Sequence, residues 1–186
     1  MVASLKNNFL IAMPSLNDPF FYHSVVYLCK HSEQGSMGII INMPTKIMLT
    51  ELLEHLQITC EAPAAKTTPV LFGGPVSKNQ GMVLHNHPQG GWTNSIKVSE
   101  DIFLTSSADI LQDIGHNQGP ENMLVALGYA SWGEGQLEQE IAENSWLSAP
   151  ANTEVLFTTP SQQRWQKAAS LLGIDIKLLS DDVGHA

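Results

Sequence analysis

The sequence predicts an α+β protein with a mixed, mainly antiparallel sheet. Predicted strands outnumber predicted helices by about two to one, and several strands follow one another directly along the chain. A regular β-α-β alternation would place a helix between successive strands, so a wound parallel sheet is not expected. The chain has 186 residues, of which 43% are hydrophobic. This is enough for one substantial core, and we predict a single domain over residues 1–186.

The first predicted elements are a hairpin of buried strands and an amphipathic helix. Residues 24–31 and 37–43 are rich in β-branched side chains, and the segment between them has turn-forming residues around Gly35. Pro44 ends the second strand because it lacks a backbone N–H donor. Leucines then recur at helical spacing over residues 49–56. We therefore predict a helix there that packs against the core.

An exposed loop is predicted over residues 58–69, where the chain becomes polar and proline-containing. Residues 70–72 then predict a strand, with residues 82–86 as its partner and residues 77–81 as the loop between them. The remaining predicted elements are strands at 95–98, 102–105 and 122–130 and helices at 107–114, after Gly135 and from Ser161 to Gly173.

The charge balance argues against direct nucleic-acid binding. The chain has 18 acidic and 9 basic residues, a formal net charge of −9 at pH 7, and a single arginine, Arg164. Binding to phosphate backbones and recognition of guanine both use clustered lysine and arginine. No apolar run approaches the roughly 18 residues of a membrane helix, and the N-terminus does not fit a secretory or transit peptide. With Cys29 and Cys60 as the only cysteines, we expect a reduced cytoplasmic protein without a membrane segment.

Residues 128–147 (GYASWGEGQLEQEIAENSWL) combine glycines, two tryptophans and an acidic helix, which is typical of binding sites. The spacing of Gly128 and Gly133 matches a phosphate-binding loop, but Glu134 stands where that loop requires lysine. Ser131 is displaced by one residue from the nucleophile elbow of a hydrolase. Both catalytic interpretations fail, and we predict a structural turn around Ser131.

The helix after Gly135 is predicted to have a solvated acidic face. Gln136, Glu140 and Glu143 share one side of this helix at spacings of four and three residues. A carboxylate on that side would need burial to raise its pKa before it could act as an acid or base. We therefore interpret the face as exposed to solvent.

Two further motifs have both a ligand-binding and a structural interpretation. His85 and His87 lie two residues apart, which on a strand places both imidazoles on one face and would begin a metal site. No third ligand follows at a suitable spacing, so no metal ion and no other cofactor is expected. Gly73 and Gly74 would let backbone amides approach an anion, but Pro75 removes a donor, which favours a tight turn.

Four segments, taken in order, are similar to a known protein family. They are LIAMPSLNDPFFYHSVVYLCKH at 10–31, GSMGIIINMP at 35–44, LFGGPVSKNQGMVLH at 71–85 and ALGYASWGEGQLEQEIAENSWL at 126–147. Together they resemble the YqgE/AlgH family of bacterial proteins over nearly the full length of the chain.

The resemblance implies an α+β fold in which a bent, mainly antiparallel sheet forms a pseudo-barrel flanked by helices. It implies no established catalytic residue or cofactor. Family members are often labelled as possible transcriptional regulators, through a genetic link to exopolysaccharide control. Because this chain is acidic, has one arginine and shows no evident helix-turn-helix, we interpret that label as an indirect effect on gene expression.

The first functional hypothesis is a regulatory module that binds a small molecule or a protein partner and acts indirectly on gene expression. Polar and glycine residues gather at predicted strand ends, where loops can converge on one cleft. Two alternatives stay open: a DNA-binding transcriptional regulator, which the charge disfavours, and a hydrolase-like enzyme that uses His85 with Glu134, Glu138 or Glu140. The predicted lining of the binding cleft is Asp18, Asn42, Gly73, Gly74, His85, Trp132 and Gln136.

Overall fold

The computed structural model describes residues 3–86 and 91–179. This part of the chain contains ten strands and five α-helices, together with a 3-10 helix at Pro63–Lys66 and a π-helix at Glu154–Thr158. The strands are β1 (Asn8–Ala12), β2 (Val25–Ser32), β3 (Gly35–Ile40), β4 (Pro44–Met48), β5 (Pro69–Phe72), β6 (Val76–His85), β7 (Ser95–Lys97), β8 (Phe103–Thr105), β9 (Met123–Trp132) and β10 (Trp146–Pro150). The α-helices are α1 (Leu49–His55), α2 (Ala108–Gly115), α3 (Gln136–Ala142), α4 (Ser161–Ser170) and α5 (Ile176–Leu179).

The chain divides into two compact units, which are described separately. The first unit consists of Met1–Asn42 and Ala130–Ala186, and the second unit is Met43–Tyr129. Strand β9 crosses this division, because its residues up to Tyr129 belong to the second unit and the others to the first.

In the first unit the strands are ordered β10-β1-β2-β3-β9, and each neighbouring pair is antiparallel. Strands β2 and β3 form the hairpin predicted from residues 24–31 and 37–43. Its register shifts between Leu28 and Lys30, which is a β-bulge. Helix α4, predicted from residue 161 onward, packs against β1, β2 and β10.

Strands β1 and β10 lie outside the elements predicted from the sequence. Phe9, Leu10 and Ile11 of β1 have no exposed surface, because β1 lies between β10 and β2 and beneath α4. A strand that is buried on both faces is continuously apolar and lacks the period-2 alternation by which strands are recognised. The short apolar run therefore gave no clear strand signal.

In the second unit, β9 lies between β5, its parallel neighbour, and β6, its antiparallel neighbour. Strand β4 pairs with the other edge of β5, while β8 and then β7 follow β6, all antiparallel. Because β5–β9 is the one parallel pair among the described strands, the predicted mixed, mainly antiparallel sheet and the α+β class are confirmed.

The predicted pairing of residues 70–72 with residues 82–86 is wrong. Residues 77–81, predicted as a loop, belong to β6, which pairs with β8 and β9. The strand at 70–72 is β5, which pairs with β4 and β9. The turn-forming residues between the two strands led to a prediction that they pair with each other. Instead, β5 and β6 both pair with β9, a longer apolar strand whose Val125 and Ala126 are at most 2% exposed.

The core of the second unit forms where α1 and α2 pack on the sheet. Helix α1 confirms the helix predicted over residues 49–56. The predicted exposed loop at 58–69 is wrong in part, because the 3-10 helix within it places Ala65, 2% exposed, in this core. The buried members of this core are Leu49, Leu52, Leu53, Ala65, Val70, Val83, Ile110, Leu111, Ile114 and Val125.

The helices of the described residues are short. The longest, α4, has ten residues. Within residues 3–86 and 91–179, none has the length and apolar composition that a membrane crossing requires.

Candidate binding site

The glycine-rich start of residues 128–147 forms the end of a strand followed by a turn. Strand β9 continues to Trp132, and Ser131 within it pairs with Met37 of β3. The predicted turn around Ser131 is therefore wrong, and the turn follows at Glu134 and Gly135. A serine within a paired strand does not have the geometry of a nucleophile elbow, which lies at a sharp turn between a strand and a helix.

Gly73 and Gly74 pack closely against Gly128 in the second unit. A Cβ on Gly73 would lie 2.3 Å from the carbonyl oxygen of Gly128, and a Cβ on Gly128 would lie 2.4 Å from that of Gly74. The amide of Gly73 donates to the Leu127 carbonyl at 2.8 Å, so it already has an acceptor. The glycines are required for this close approach of two backbone segments.

The carboxylate of Glu140 joins the two tryptophans of the first unit. Its Oε2 accepts hydrogen bonds from Trp132 Nε1 at 2.9 Å and from Trp146 Nε1 at 2.8 Å. Its Oε1 accepts from Gln136 Nε2 at 3.0 Å, and Gln136 Oε1 accepts from the Gly133 amide at 3.0 Å. The interpretation of this helix side as a simply solvated face is wrong for Glu140, because both of its oxygens are bonded within the protein.

Asp18 and Asn42 hold the backbone of the loop before β2. Asp18 Oδ1 accepts from the amides of Phe20 at 2.8 Å and Phe21 at 3.2 Å. Asn42 Oδ1 accepts from the Val25 amide at 2.8 Å, and its Nδ2 donates to the His23 carbonyl at 2.9 Å. These bonds fix the loop so that the Phe21 ring lies 5.5 and 6.1 Å, between ring centroids, from the two indoles that Glu140 joins.

The first unit also contains a cleft of about 420 Å³ between its N-terminal segment, the β2–β3 turn and the start of α3. This volume lies within the usual range for small-ligand pockets. We call it the His31 cleft. It is lined by Ser4, His31, Ser32, Glu33, Glu134, Gly135 and Glu138.

His31 is held at both ring nitrogens. Its side chain is 4% exposed. Nδ1 lies 2.9 Å from the Leu5 amide, which can only donate, so Nδ1 accepts and the proton of the neutral ring is on Nε2. Nε2 then donates to Glu138 Oε1 at 2.7 Å. With both nitrogens bonded, the imidazole has no lone pair with which to act as a general base.

The His31 cleft has a strongly acidic lining. The pKa of Glu138 is lowered, because its own backbone amide and then His31 donate hydrogen bonds to the carboxylate. Glu33 and Glu134 are exposed, and their carboxylates make no hydrogen bond or ion pair with any described residue. The cleft therefore combines one oriented carboxylate with two that are available to a ligand.

His85, in the second unit, is 1% exposed and begins a series of hydrogen bonds that passes through two hydroxyl groups. Its Nε2 lies 2.7 Å from Thr105 Oγ1, which lies 2.7 Å from Ser95 Oγ. Because the Ser95 hydroxyl donates to the Trp92 carbonyl at 2.9 Å, Thr105 donates to Ser95 and His85 Nε2 donates to Thr105. The Trp92 and Phe103 rings pack on the imidazole.

His87, the second histidine of the predicted pair, lies outside the described residues. Within residues 3–86 and 91–179, no three His, Cys, Asp or Glu side chains are grouped so that they could hold a metal ion.

A second concave surface of about 450 Å³ lies in the second unit and has mainly apolar walls. Ile47 and Leu56 at its edge are 41% and 44% exposed. Gly81 leaves room within it, because an added Cβ would be only in ordinary contact with Leu111 at 3.5 Å. The other lining residues are Glu51, Leu52, His55, Asn79 and Leu127.

The seven residues predicted to line one cleft are divided between the two units. None of the seven lines the His31 cleft or the apolar surface of the second unit. Their part in ligand binding stays a prediction, and the structure shows for each a contact within the protein. The first unit contains Asp18, Asn42, Trp132 and Gln136, and the second contains Gly73, Gly74 and His85.

Sequence reasoning missed His31 and Glu33 as members of a cleft. Glu134 and Glu138 were candidates for catalysis, but nothing in the sequence pairs Glu138 with a histidine 107 residues away. The polar end of strand β2 gave the one available signal, since it leads into a turn and binding residues are often found in such connections.

Comparison with known proteins identifies the family of this chain. The model of the AlgH-like family, DUF179, matches residues 9–177. A UPF0301 protein of Thioalkalivibrio sulfidiphilus is 54% identical over 184 residues, which cover 99% of this chain and 98% of the relative. A UPF0301 protein of Proteus mirabilis is 48% identical and covers 98% of this chain and 100% of the relative. The chain belongs to the AlgH-like family.

Two solved structures show that the fold is that of AlgH. The solution structure of the AlgH protein from Pseudomonas aeruginosa matches with a TM-score of 0.81 at 39% identity, over 100% of this chain and 98% of that one. The crystal structure of DIP2367 from Corynebacterium diphtheriae matches with a TM-score of 0.75 at 20% identity, over 97% of this chain and 93% of that one. At the lower identity, the likeness extends to the fold alone.

Proposed function

We propose that this AlgH-like protein is a binding module that holds a cationic side chain of a protein partner in the His31 cleft. The observation that carries the proposal is the set of three carboxylates on one concave surface. Glu138 is oriented by His31, while Glu33 and Glu134 have no partner among the described residues. Preplaced carboxylates suit lysine and arginine side chains, which they bind through charge-assisted hydrogen bonds.

The charge of the whole chain supports a basic partner. A net charge of −9 attracts cationic surfaces and repels polyanions. An effect on gene expression would then be indirect, through the partner protein, since nucleic acid is repelled. The proposal places the module in the cytoplasm, where Cys29 and Cys60 would remain the free thiols that they are in the structure.

The arrangement of side chains favours binding over hydrolysis. Both nitrogens of His31 and both oxygens of Glu140 are bonded within the protein. His85 directs its Nε2 to Thr105. The exposed carboxylates of Glu33 and Glu134 keep free lone pairs, but His31, the histidine that lines the same cleft, has none with which to act as a general base.

The test is an NMR titration of the protein with a capped tetra-arginine peptide. We expect saturable shifts at the amides of Glu33 and Gly135. A Glu33→Gln/Glu134→Gln double variant should bind about two- to thirtyfold more weakly, since each exposed ion pair contributes about 0.2–1 kcal/mol. The matched control is Glu61→Gln/Glu121→Gln, which removes the same two charges from the second unit. Equal weakening in both double variants would mean that only net charge matters and would refute the proposal.

A further inference from the structure

Gly81 is a strand glycine that the backbone does not require. It belongs to β6 and pairs with Leu127 of β9. Its φ is not positive, so no left-handed conformation calls for glycine here. Apart from its chain neighbours, an added Cβ would have one neighbour within 4 Å, Leu111 Cδ1 at 3.5 Å, which is an ordinary contact. Gly81 thus differs from Gly73 and Gly128, where a second backbone segment excludes a side chain.

The irregularity earlier in β6 does not explain the glycine either. The register of β6 against β9 shifts between Val76 and Gly81. Bulges often use glycine because one residue is left-handed, but in this stretch the left-handed residue is Ser77, with a φ of 48°. From Gly81 to His85 the ladder is regular. A glycine inside a strand weakens it and often marks a position that a ligand approaches closely.

The missing side chain of Gly81 leaves space in the concave surface of the second unit. This surface, which we call the Gly81 pocket, has a volume of about 450 Å³, within the usual range for a small ligand. Leu52 and Leu111 line it and are at most 9% exposed, whereas Ile47 and Leu56 line it and are largely exposed. An apolar ligand would cover these two exposed side chains, and the burial of apolar surface is favourable.

Three polar side chains line the same pocket and have unused hydrogen-bonding capacity. Glu51 Oε2 accepts from the Met48 amide at 2.8 Å, while Glu51 Oε1 has no partner among the described residues. His55 and Asn79 are exposed, and their side chains make no hydrogen bond to a described residue. Each of the three offers an oxygen or nitrogen acceptor. The pocket therefore suits an apolar ligand that has a donor group.

The charge of the lining favours a cation over an anion. Glu51 is the only Asp, Glu, Lys or Arg among the described residues of the lining. Lys46 and Lys78 are next to lining residues in sequence but do not line the pocket. The chain as a whole has a net charge of −9, which attracts cations. A fatty acid would therefore meet a carboxylate and no counter-charge.

We propose that the Gly81 pocket binds a small aliphatic amine. The alkyl group packs on the leucines and fills the space beside Gly81. The ammonium group donates to Glu51 Oε1, with the acceptors of His55 and Asn79 in the same lining. The pocket shares no lining residue with the His31 cleft, and its ligand is a small molecule rather than a side chain of a protein. The two proposals therefore stand or fall separately.

The experiment titrates the protein with hexylamine, hexanol and hexanoate, which have the same alkyl group and different head groups. NMR at constant pH and ionic strength follows the amide signal of Gly81 and the methyl signals of Leu111 and Leu127. We expect saturable shifts with hexylamine and binding about two- to fivefold tighter than that of hexanol, the usual effect of one exposed ion pair. Hexanoate should bind more weakly than hexanol, because Glu51 repels it. Shifts that rise linearly with hexylamine, or equally tight binding of hexanol or hexanoate, would contradict the proposal.

Two variants at Gly81 test whether its missing side chain makes the site. Gly81→Ala adds a methyl group in ordinary contact with Leu111, and Gly81→Val adds two further carbons. Both should keep at least the thermal midpoint of the wild type, since alanine and valine suit a strand better than glycine. The affinity for hexylamine should fall about fourfold in Gly81→Ala and at least about tenfold in Gly81→Val, because the added carbons displace methylene groups of the ligand.

Unchanged affinity in both Gly81 variants would overturn the proposal. A lower thermal midpoint in Gly81→Ala would also overturn it, because glycine would then serve the strand alone. Since the alanine makes only an ordinary contact, its result decides the question even if Gly81→Val fails to fold.

Glu51→Gln tests the head group of the ligand. Glutamine keeps an oxygen for the Met48 amide, so α1 should retain its first turn. The preference for hexylamine over hexanol should disappear, while the affinity for hexanol stays the same. The matched control is Glu54→Gln, which removes the same charge from an exposed residue of α1 outside the lining. An equal loss of preference in both variants would mean that net charge alone attracts the amine, which would refute the contact with Glu51.

Discussion

Glu134, Glu138 and Glu140 lie in one short segment, yet their carboxylates have different surroundings. Glu140 bonds to two indoles, Glu138 bonds to a histidine, and Glu134 is exposed without a partner among the described residues. All three residues are glutamates, so residue type does not distinguish them. At the residue scale, the role of each carboxylate follows from which side chains the fold brings to it.

Replacing Glu140 by glutamine should lower the free energy of unfolding by about 1–3 kcal/mol, because two indole donors lose a charged acceptor. Urea denaturation followed by tryptophan fluorescence measures this directly, since the affected residues are Trp132 and Trp146. Glu143→Gln is the control. Glu143 is exposed and accepts one bond from Gln139, so its change should stay within about 0.5 kcal/mol. Equal effects would show that the Glu140 bonds contribute nothing specific.

The bond between His31 and Glu138 should make stability depend on pH in the acid range. The pKa of Glu138 is lowered in the folded protein from its usual 4.5. The contribution of the Glu138 carboxylate to the free energy of unfolding is therefore complete above pH 4.5. It declines as the pH falls through the lowered pKa of the folded protein. We expect the stability difference between wild type and Glu138→Gln to shrink over that interval. Urea unfolding at a series of pH values tests this. The control is Glu134→Gln, which removes an exposed carboxylate without a partner among the described residues and should change stability by less than about 0.5 kcal/mol.

At the scale of elements, two glycines with similar positive φ angles have different reasons to be glycine. Gly128 and Gly135 both have positive φ, 76° and 69°. Around Gly135 an added Cβ would meet nothing within 4 Å, whereas at Gly128 it would lie 2.4 Å from a backbone oxygen. A side chain at Gly135 would therefore be opposed only by backbone strain. A side chain at Gly128 would be opposed by backbone strain and also by a clash with the Gly74 carbonyl.

Alanine substitution should separate these two effects. Gly135→Ala should destabilise the protein by about 1 kcal/mol, the usual cost of a left-handed conformation. Gly128→Ala should cost more than about 3 kcal/mol, because β9 and the segment at Gly74 would have to move apart. Chemical denaturation of both variants gives the comparison. Similar losses would mean that the close approach at Gly128 relaxes at little cost.

The elements that the sequence predicted well are those with an amphipathic pattern or with turn residues at their ends. Helix α1 and the β2–β3 hairpin are of this kind. Strands β1 and β10, by contrast, are recognisable only through their pairing with each other across the two sequence segments of the first unit, as Phe9 pairs with Ala149. Pairings of that sequence separation leave no local signal.

For the whole molecule, the acidic balance makes a prediction about DNA. A chain with a net charge of −9, whose one arginine is buried, should not shift duplex DNA in a mobility assay even at low salt. The expected result is no complex at micromolar protein. A complex that dissolves as salt rises would instead support the DNA-binding alternative and would contradict an indirect effect on gene expression.

The sequence by itself determined the family, the α+β class, the acidic character and most helices, because these depend on composition, local periodicity and motifs read in order. Only the tertiary structure decided the partners of β5 and β6, the joining of Trp132 and Trp146 by Glu140, and the meeting of His31 with Glu138. It also placed Arg164 inside the first unit, where no carboxylate of residues 3–86 or 91–179 pairs with it. The physical reason is the same in each case: burial and pairing join residues that are far apart in sequence, and neither leaves a pattern among neighbours along the chain.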